Sequence, residues 1–438
     1  RKKNVLAKTL DKTLMNLVKT YSSPGSDASR RRELTAADKK HLQSLGYISA
    51  FSNKTDIGLD PKKGILLENR FNEIEKEIDA DQLDLAESHL QEMAEKNPKH
   101  LLPQYFGQLN TIYNKRNDLT GVIANWKKAI ETFPQNDHFK INLAFEYYHL
   151  NRLEESEKLA AAILKNNDQY TRAYILRGRI EEKRNRIPEA LAYFEKALTL
   201  EPHNVSLEIG YARLLGQNRD FPGAGEICDK LLADEAVTAD PETKAKIGIV
   251  LTEIHKNEPA LRLLSEAAAA DPGNASAETW NYLGILYYRK QDFSRSLDAY
   301  RKSLEKDPRI AKTYNNLGTL YLSMFLLRKD TRMRDQAIAA FDKALALDPG
   351  LAAALNGRGS AYKFANRIRD ALADWQKTLA LKPDFIDAYF NLGVTYLQLN
   401  RREDALKYLN ICKQKFYHTL SPRDRQQLDL LVSRAEGH

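Results

Sequence analysis

The sequence predicts an all-α solenoid built from about ten helix pairs, and three observations predict it. Segments such as "YILRGRIEEKRNRIPEALAYFEKALTLEP" (174–202), "WNYLGILYYRKQDFSRSLDAYRKSLEKDP" (280–308) and "LNGRGSAYKFANRIRDALADWQKTLALKP" (355–383) superpose without gaps. Self-similarity at a fixed period marks a stack of like supersecondary units. Small residues recur at fixed places within each segment. Two helices approach to about 8–10 Å between axes only where small side chains occupy the crossing. Finally, a proline closes each segment, where its missing amide donor and its bias on the preceding residue stop a helix.

Composition agrees with an ordered helical chain. Of 438 residues 29% are charged, and there are only 15 prolines and no long Gly/Ser tract. No run approaches the roughly 18 apolar residues that a membrane helix needs, so no membrane span is expected. The net charge is +8, but residues 1–40 hold eleven Lys/Arg against four Asp/Glu, which leaves the rest of the chain nearly neutral. A surface that holds a phosphate backbone carries its charge on the folded face, so no nucleic-acid partner is expected. Cys228 and Cys412 stand far apart with no neighbouring Cys, which excludes a disulfide framework and a Cys-rich zinc site.

The period places units near residues 67, 103, 137, 171, 205, 241, 277, 311, 352 and 386. This divides the chain into a basic helical leader (1–66), the repeat array (67–419) and a capping helix (420–438). Within a unit the fourth position is aromatic (Trp280, Tyr314, Tyr389), Leu-Gly follows (Leu283-Gly284, Leu317-Gly318, Leu392-Gly393), and Tyr stands eleventh (Tyr287, Tyr321, Tyr362, Tyr396). Ala is twentieth (Ala190, Ala260, Ala337, Ala371, Ala405) and Pro thirty-second (Pro202, Pro272, Pro308, Pro349, Pro383). Over about 350 residues this pattern resembles the tetratricopeptide repeat (TPR) family, and the resemblance implies a right-handed superhelical α-solenoid.

Packing logic makes Tyr321, Phe341 and Trp375 core residues. Pro188 and Pro222 fall where a second helix begins, a place at which the missing donor is harmless. The unit at 205 keeps Ala224 but lacks Leu-Gly and the terminal Pro, and the first unit keeps little beyond Ala86, Leu90 and Pro98. Seven extra residues within "LSMFLLRKDTRMRDQ" (322–336) read as an extended helix or, as the alternative, a basic and apolar protrusion that meets a partner. In "LSPRDRQQLDLLVSRAEG", Ser421 is the expected N-cap and Pro422 the first helical residue. Leu428, Leu431 and Val432 then face inward, with Arg423, Arg425, Gln426 and Arg434 on the outer, wetted side.

The first helices of a solenoid of helix pairs line its concave wall. By the family resemblance, positions two, five, nine, twelve and thirteen of each unit face that groove. They nominate His138, Phe145, Tyr148 and His149, then Arg172, Arg179 and Lys183. Asn281, Tyr288 and Arg289 follow, with Asn315, Thr319, Asn356, Ser360 and Phe390. Such a wall suits an extended or helical peptide, amides meeting its backbone and aromatics adding apolar area. Chaperone-binding members of the family place Asn ninth to clamp a terminal carboxylate. Here Ile285, Thr319, Ser360 and Val394 stand there, which disfavours that ligand.

No catalytic constellation is found. There is no His-Glu-x-x-His and no Gly-x-Ser-x-Gly, and "NGRGSAY" (356–362) lacks the third glycine and the preceding strand of a dinucleotide loop. His138 and His149 can share a helix face but stand about 16 Å apart along it, too far for one metal. No enzyme, cofactor or metal is therefore expected of this chain. The expected function is a protein-interaction scaffold for a peptide or protein partner, with self-assembly into a homo-oligomer or filament as an alternative.

A second alternative comes from the opening. "NVLAKTLDKTLMNLVKTY" (4–21), "LTAADKKHLQSLGYI" (34–48) with its Leu45-Gly46-Tyr47, and "DPKKGI" (60–65) resemble the junction of bacterial sulfatase-like proteins of the alkaline phosphatase superfamily that continue into tetratricopeptide repeats. That resemblance implies a hydrolase upstream of residue 1, with this chain as its accessory region, and a bacterial envelope or extracellular location. Without it a cytoplasmic location is expected.

Overall fold

The computed structural model describes residues 61–96 and 102–437 of the chain, which divides into two units, 1–150 and 151–438. The sulfatase-like segments up to residue 60 and the repeat residue Pro98 lie outside the described residues. Every regular element among those described is helical.

The first unit holds α1 (Pro61–Asp79), α2 (Leu83–Lys96), α3 (Pro103–Lys115), α4 (Leu119–Thr132) and α5 (Asp137–His149), each packed on its neighbour in sequence. Phe71, Ile74 and Ile78 on α1 are buried, as are Ala86 and Leu90 on α2. The rings of Phe106, Trp126, Phe133 and Phe139 meet at 5.6 to 6.1 Å between centroids, an edge-and-tilt cluster that holds α3, α4 and α5 together.

The second unit opens with α6 (Leu153–Asn166) and continues in pairs. They are α7 (Thr171–Lys183) with α8 (Ile187–Leu200), and α9 (Val205–Gln217) with α10 (Phe221–Leu232). A short α11 (Glu235–Ala239) precedes α12 (Pro241–Glu253) with α13 (Asn257–Ala270), then α14 (Ala277–Arg289) with α15 (Phe293–Lys306). The series ends with α16 (Ala311–Arg328) and α17 (Thr331–Leu347), α18 (Ala352–Phe364) and α19 (Ile368–Leu381), α20 (Ile386–Gln398) and α21 (Arg402–Phe416). A final α22 (Pro422–Glu436) packs on α21. This is an all-α solenoid of helix pairs. From α3 onward the first helices begin where the sequence period starts a unit, whereas α1 starts at Pro61, ahead of residue 67.

The sequence pattern now has physical content. Pro202, Pro272, Pro308, Pro349 and Pro383 each stand two residues past the end of a second helix, and Pro188 and Pro222 lie in the first turn of α8 and α10. Phe341 is completely buried, and a Cβ at Gly318 would come within 2.7 Å of its ring, one at Gly357 within 2.5 Å. A Cβ at Gly359 would likewise meet Trp375 at 2.7 Å. The Gly-x-Gly of "NGRGSAY" is therefore a packing device on α18, one glycine for each aromatic. Tyr321 departs from expectation: it is half-buried, unlike Phe341 and Trp375.

The turn from first to second helix has a rule of its own. Asn117, Asn151, Asn185, Asn366 and Asn400 take a left-handed φ of 56 to 59°, and Arg219, His255 and Gln291 take one of 61 to 65° at the same place in their units. Asp118, Asp220 and Asp292 come next and cap the second helix by accepting a backbone N–H three residues on. Where Arg replaces that Asp, as at Arg367 and Arg401, it pairs with Asp370 and Asp404 three residues later, each at 2.7 Å.

The extra residues of the unit at 311 lengthen both helices, α16 to 18 residues and α17 to 17. In the cap, Ser421 Oγ accepts from Asp424 N at 3.2 Å, and Leu428 and Val432 are buried. Arg425 is not spread on a wetted face. Its guanidinium folds back to donate to the carbonyls of Tyr417 and His418 at 2.9 Å, which fixes the turn between α21 and α22.

Candidate partner-binding wall

Consecutive first helices of the second unit are joined to one another directly. Positions i, i+3 and i+7 share one helix face, and those positions carry polar groups able to bridge from one unit to the next. Gln217 on α9 donates to Glu182 on α7 at 3.0 Å, and Arg213 on α9 donates to Glu253 on α12 at 3.1 Å. Glu253 also accepts from the hydroxyl of Tyr282 on α14. Burial and the nearby Glu253 hold that phenol well above its ordinary pKa, so it stays a donor.

Farther along, Asn316 Nδ2 on α16 donates to Asn281 Oδ1 on α14 at 3.0 Å, and Asn391 Nδ2 on α20 donates to Asn356 Oδ1 on α18 at 3.2 Å. The hydroxyls of Tyr288 on α14 and Ser323 on α16 lie 2.8 Å apart. The outcome is a wall of abutting first helices studded with amides, hydroxyls and rings.

The nominated residues fall on these first helices in different states. His138, Phe145 and Tyr148 are half-buried on α5 of the first unit; His149 is exposed there, its ring 5.5 Å from that of Tyr148. On α7, Arg172, Arg179 and Lys183 are exposed. Asn281 is buried, 7% exposed, and also accepts from Thr313 Oγ1 at 3.2 Å, so its oxygen joins α14 to α16. Tyr288 is half-buried. Arg289 is exposed but reaches back to the carbonyl of Thr252 at 2.9 Å and to Asn257 Oδ1 at 2.7 Å.

Asn315, Asn356, Ser360 and Phe390 are half-buried and Thr319 exposed. The hydroxyls of Thr319 and Ser360 donate to the carbonyls of Asn315 and Asn356, one turn back, at 3.0 and 3.1 Å. Asn315 Oδ1 is buried and accepts no hydrogen bond. The structure thus gathers Asn281, Asn315, Asn356 and Phe390, the fifth positions of four consecutive units, along α14, α16, α18 and α20.

Four residues were not nominated. Arg213, Glu253 and Lys363 occupy the ninth, thirteenth and twelfth positions of their units, so the positional pattern that names Arg179 covers them as well. Tyr282, at a sixth position, carries no such signal. Lys363 is half-buried, burial pulls its pKa below the ordinary lysine value, and no carboxylate is within ion-pair reach among the described residues. On α18 it stands two turns from Asn356, about 10 Å along the same face. A cation placed there lowers its energy by meeting an anion.

Among the described residues no three His, Cys, Asp or Glu groups gather as a metal site, and no helix is long and apolar enough to cross a membrane. Both thiols are buried, which pushes each up to about 11 and leaves them unreactive near neutral pH.

Family models described as tetratricopeptide repeat match residues 141–205, 183–244, 277–310 and 387–416, and one described as TPR repeat matches 365–400. The peroxisomal targeting signal receptor of Pichia angusta is 25% identical over 222 residues, 44% of this chain and 38% of its own length. The BBSome complex member BBS4 homolog of Drosophila melanogaster is 22% identical over 247 residues, 54% of this chain and 50% of its own. The chain therefore spans half or less of these two curated relatives. Among solved structures, human IFIT1, a dimer with PPP-AAAA, aligns with a TM-score of 0.56 at 19% identity over 79% of this chain and 84% of its own. At that identity the likeness concerns the fold alone.

Proposed function

We propose that the tetratricopeptide repeats of this chain form a non-catalytic scaffold whose first-helix wall, on α14 to α20, holds an extended peptide with an acidic group. One observation carries this reading: Asn281, Asn315 and Asn356 recur at the fifth position of successive first helices. Two are held by bonds from the next unit, and the third has a buried oxygen without a donor. The half-buried amides of Asn315 and Asn356 meet the donors and acceptors of an extended backbone, the buried Asn281 fixes the wall beside them, and an acceptor without a partner gains most from receiving one. Lys363 supplies the cation for the acidic group, and Phe390 the apolar area. The relatives named as targeting signal receptors lend the peptide reading support at low identity.

The test is selection of displayed random peptides on the whole chain, followed by fluorescence anisotropy of the winners. Enriched sequences carry Asp or Glu, and Asn315→Ala and Lys363→Gln each weaken them by about fivefold or more, the effect of removing one hydrogen bond or charge contact. Winners without acidic residues that bind both variants as tightly as the native chain contradict it.

A second reading is self-association through the lengthened α16–α17 pair, where Leu326 and Leu327 are 41% and 67% exposed. Light scattering decides it. A mass that rises with concentration and falls back in Leu327→Glu supports assembly, and a monomer at every concentration removes it.

A further inference from the structure

The fourth position of the unit at 205 is Glu208, where the units at 277 and 311 place Trp280 and Tyr314. In those two units a lysine on the second helix lies over the ring: Lys302 Nζ is 4.3 Å from the Trp280 centroid, and Lys343 Nζ 5.6 Å from that of Tyr314. Lys230 is the matching residue on α10, and it forms an ion pair with Glu208 Oε1 at 2.7 Å instead. The cation is kept and the ring is gone. Beside this pair the surface between α8, α9 and α10 forms an open depression of about 410 Å³.

Its walls are Leu198 and Pro202 from the α8 side and Ile227 from α10. Its polar groups are acidic in balance. The side chain of Glu208 is 10% exposed, whereas that of Lys230 is 63% exposed. Glu195, at the rim, accepts a 2.7 Å hydrogen bond from Tyr211 and has no ion-pair partner among the described residues. Burial and that bond push the Tyr211 phenol up to about 12, so it remains a donor. Apolar walls with an excess negative charge, one carboxylate nearly buried, are complementary to a cation on an apolar body.

We propose that the hollow bounded by Glu195, Leu198, Glu208, Tyr211 and Ile227 is a binding site for an ammonium or guanidinium group on an apolar stem. The stem or ring lies in the depression, and the cation reaches Glu208 and Glu195 as Lys230 withdraws. An arginine or lysine of a bound peptide and a free organic amine share this chemistry. The site is formed by α8, α9 and α10 and uses none of the amides on α14 to α20, so it stands or falls separately from the peptide wall.

Isothermal titration of the whole chain with two probes tests it: phenethylammonium, and the blocked tripeptide acetyl-Leu-Arg-Leu-amide with its norleucine counterpart as control. Saturable binding of either cationic probe, with none of the norleucine peptide, is expected. The probe that binds more tightly assigns the source. Glu208→Tyr puts a ring in place of the carboxylate and abolishes binding, and Glu208→Gln weakens it by about tenfold, as loss of a charge-assisted bond does. Asn315→Ala leaves it unchanged. Helical circular dichroism of both Glu208 variants checks that they fold. No saturable binding of either probe by the native chain, or equal binding by a folded Glu208→Tyr, overturns the proposal.

Discussion

Asn316 on α16 donates its side-chain amide to Asn281 Oδ1 on α14 at 3.0 Å, and the same pairing recurs between Asn391 and Asn356 two units later. These bonds join first helices of adjacent units without passing through a second helix. In a stack whose stability is the sum of unit and neighbour terms, each is a neighbour term. Asn316→Ala is therefore expected to lower stability by about 1 kcal/mol, the net value of one such bond. Urea denaturation followed by circular dichroism measures it. An unchanged midpoint would mean that water replaces the amide at no cost.

Phe341 sets a second expectation, because it is clasped between glycines of two units. Gly318→Ala puts a methyl group 2.7 Å from its ring, and overpacking of this kind costs about 1–3 kcal/mol. Phe341→Ala costs about 3–5 kcal/mol through the cavity it leaves. The double variant Gly318→Ala, Phe341→Leu recovers part of the first loss, since the new methyl occupies space the ring gives up. Thermal unfolding of the native chain, Gly318→Ala, Phe341→Leu and the double variant completes the cycle.

The left-handed turn gives a stabilising prediction. Arg219 holds a φ of 65° at the place where five other units have Asn. A left-handed conformation costs an ordinary L-residue about 1–2 kcal/mol, and Asn less, because its short side chain bonds locally. Arg219→Asn should raise stability by about 0.5–1 kcal/mol, read as a higher denaturation midpoint. Leu143→Asn, within the helix interior of α5, should do the opposite.

Lys363 makes stability depend on alkaline pH. Burial lowers its pKa in the folded chain below the 10.5 of an ordinary lysine, so the unfolded chain binds more protons through the interval between the two values. Its burial penalty is present at neutral pH and fades as pH rises toward 10.5. Lys363→Gln is expected to be more stable than the native chain at pH 7 and to lose that advantage only as pH passes 10.5. Denaturation midpoints of both proteins across this range supply the check, and an advantage constant in pH would assign it to something other than charge.

Helix pairs were legible in the sequence because each requirement of close packing leaves a mark at fixed spacing: Gly318 and Gly357 for Phe341, Gly359 for Trp375, Pro383 past the end of α19. The turn rule was partly visible in the repeated Asn and hidden where Arg219, His255 and Gln291 replace it, since a backbone conformation restricts residue type only weakly. The wall was harder to read. A position number states which face a side chain leaves from, not whether the next helix covers it, so Asn281 was placed on the wall without its burial under Asn316 and Thr313. Arg289 shows the same limit: a long side chain can turn back across its own wall, as it does to Thr252 and Asn257. Glu208 carried a plain signal, a carboxylate in an aromatic's place, whose meaning depended on Lys230 and on the hollow beside it.

The most direct test of the peptide wall is a cross-linking map. A selected acidic peptide carrying a benzophenone at one position is irradiated on the whole chain, and the attached residues are identified by mass spectrometry. Attachment on the first helices α14, α16, α18 and α20, near Asn315, Asn356 and Lys363, is the predicted result. Attachment confined to the second helices α15, α17, α19 and α21 would contradict it.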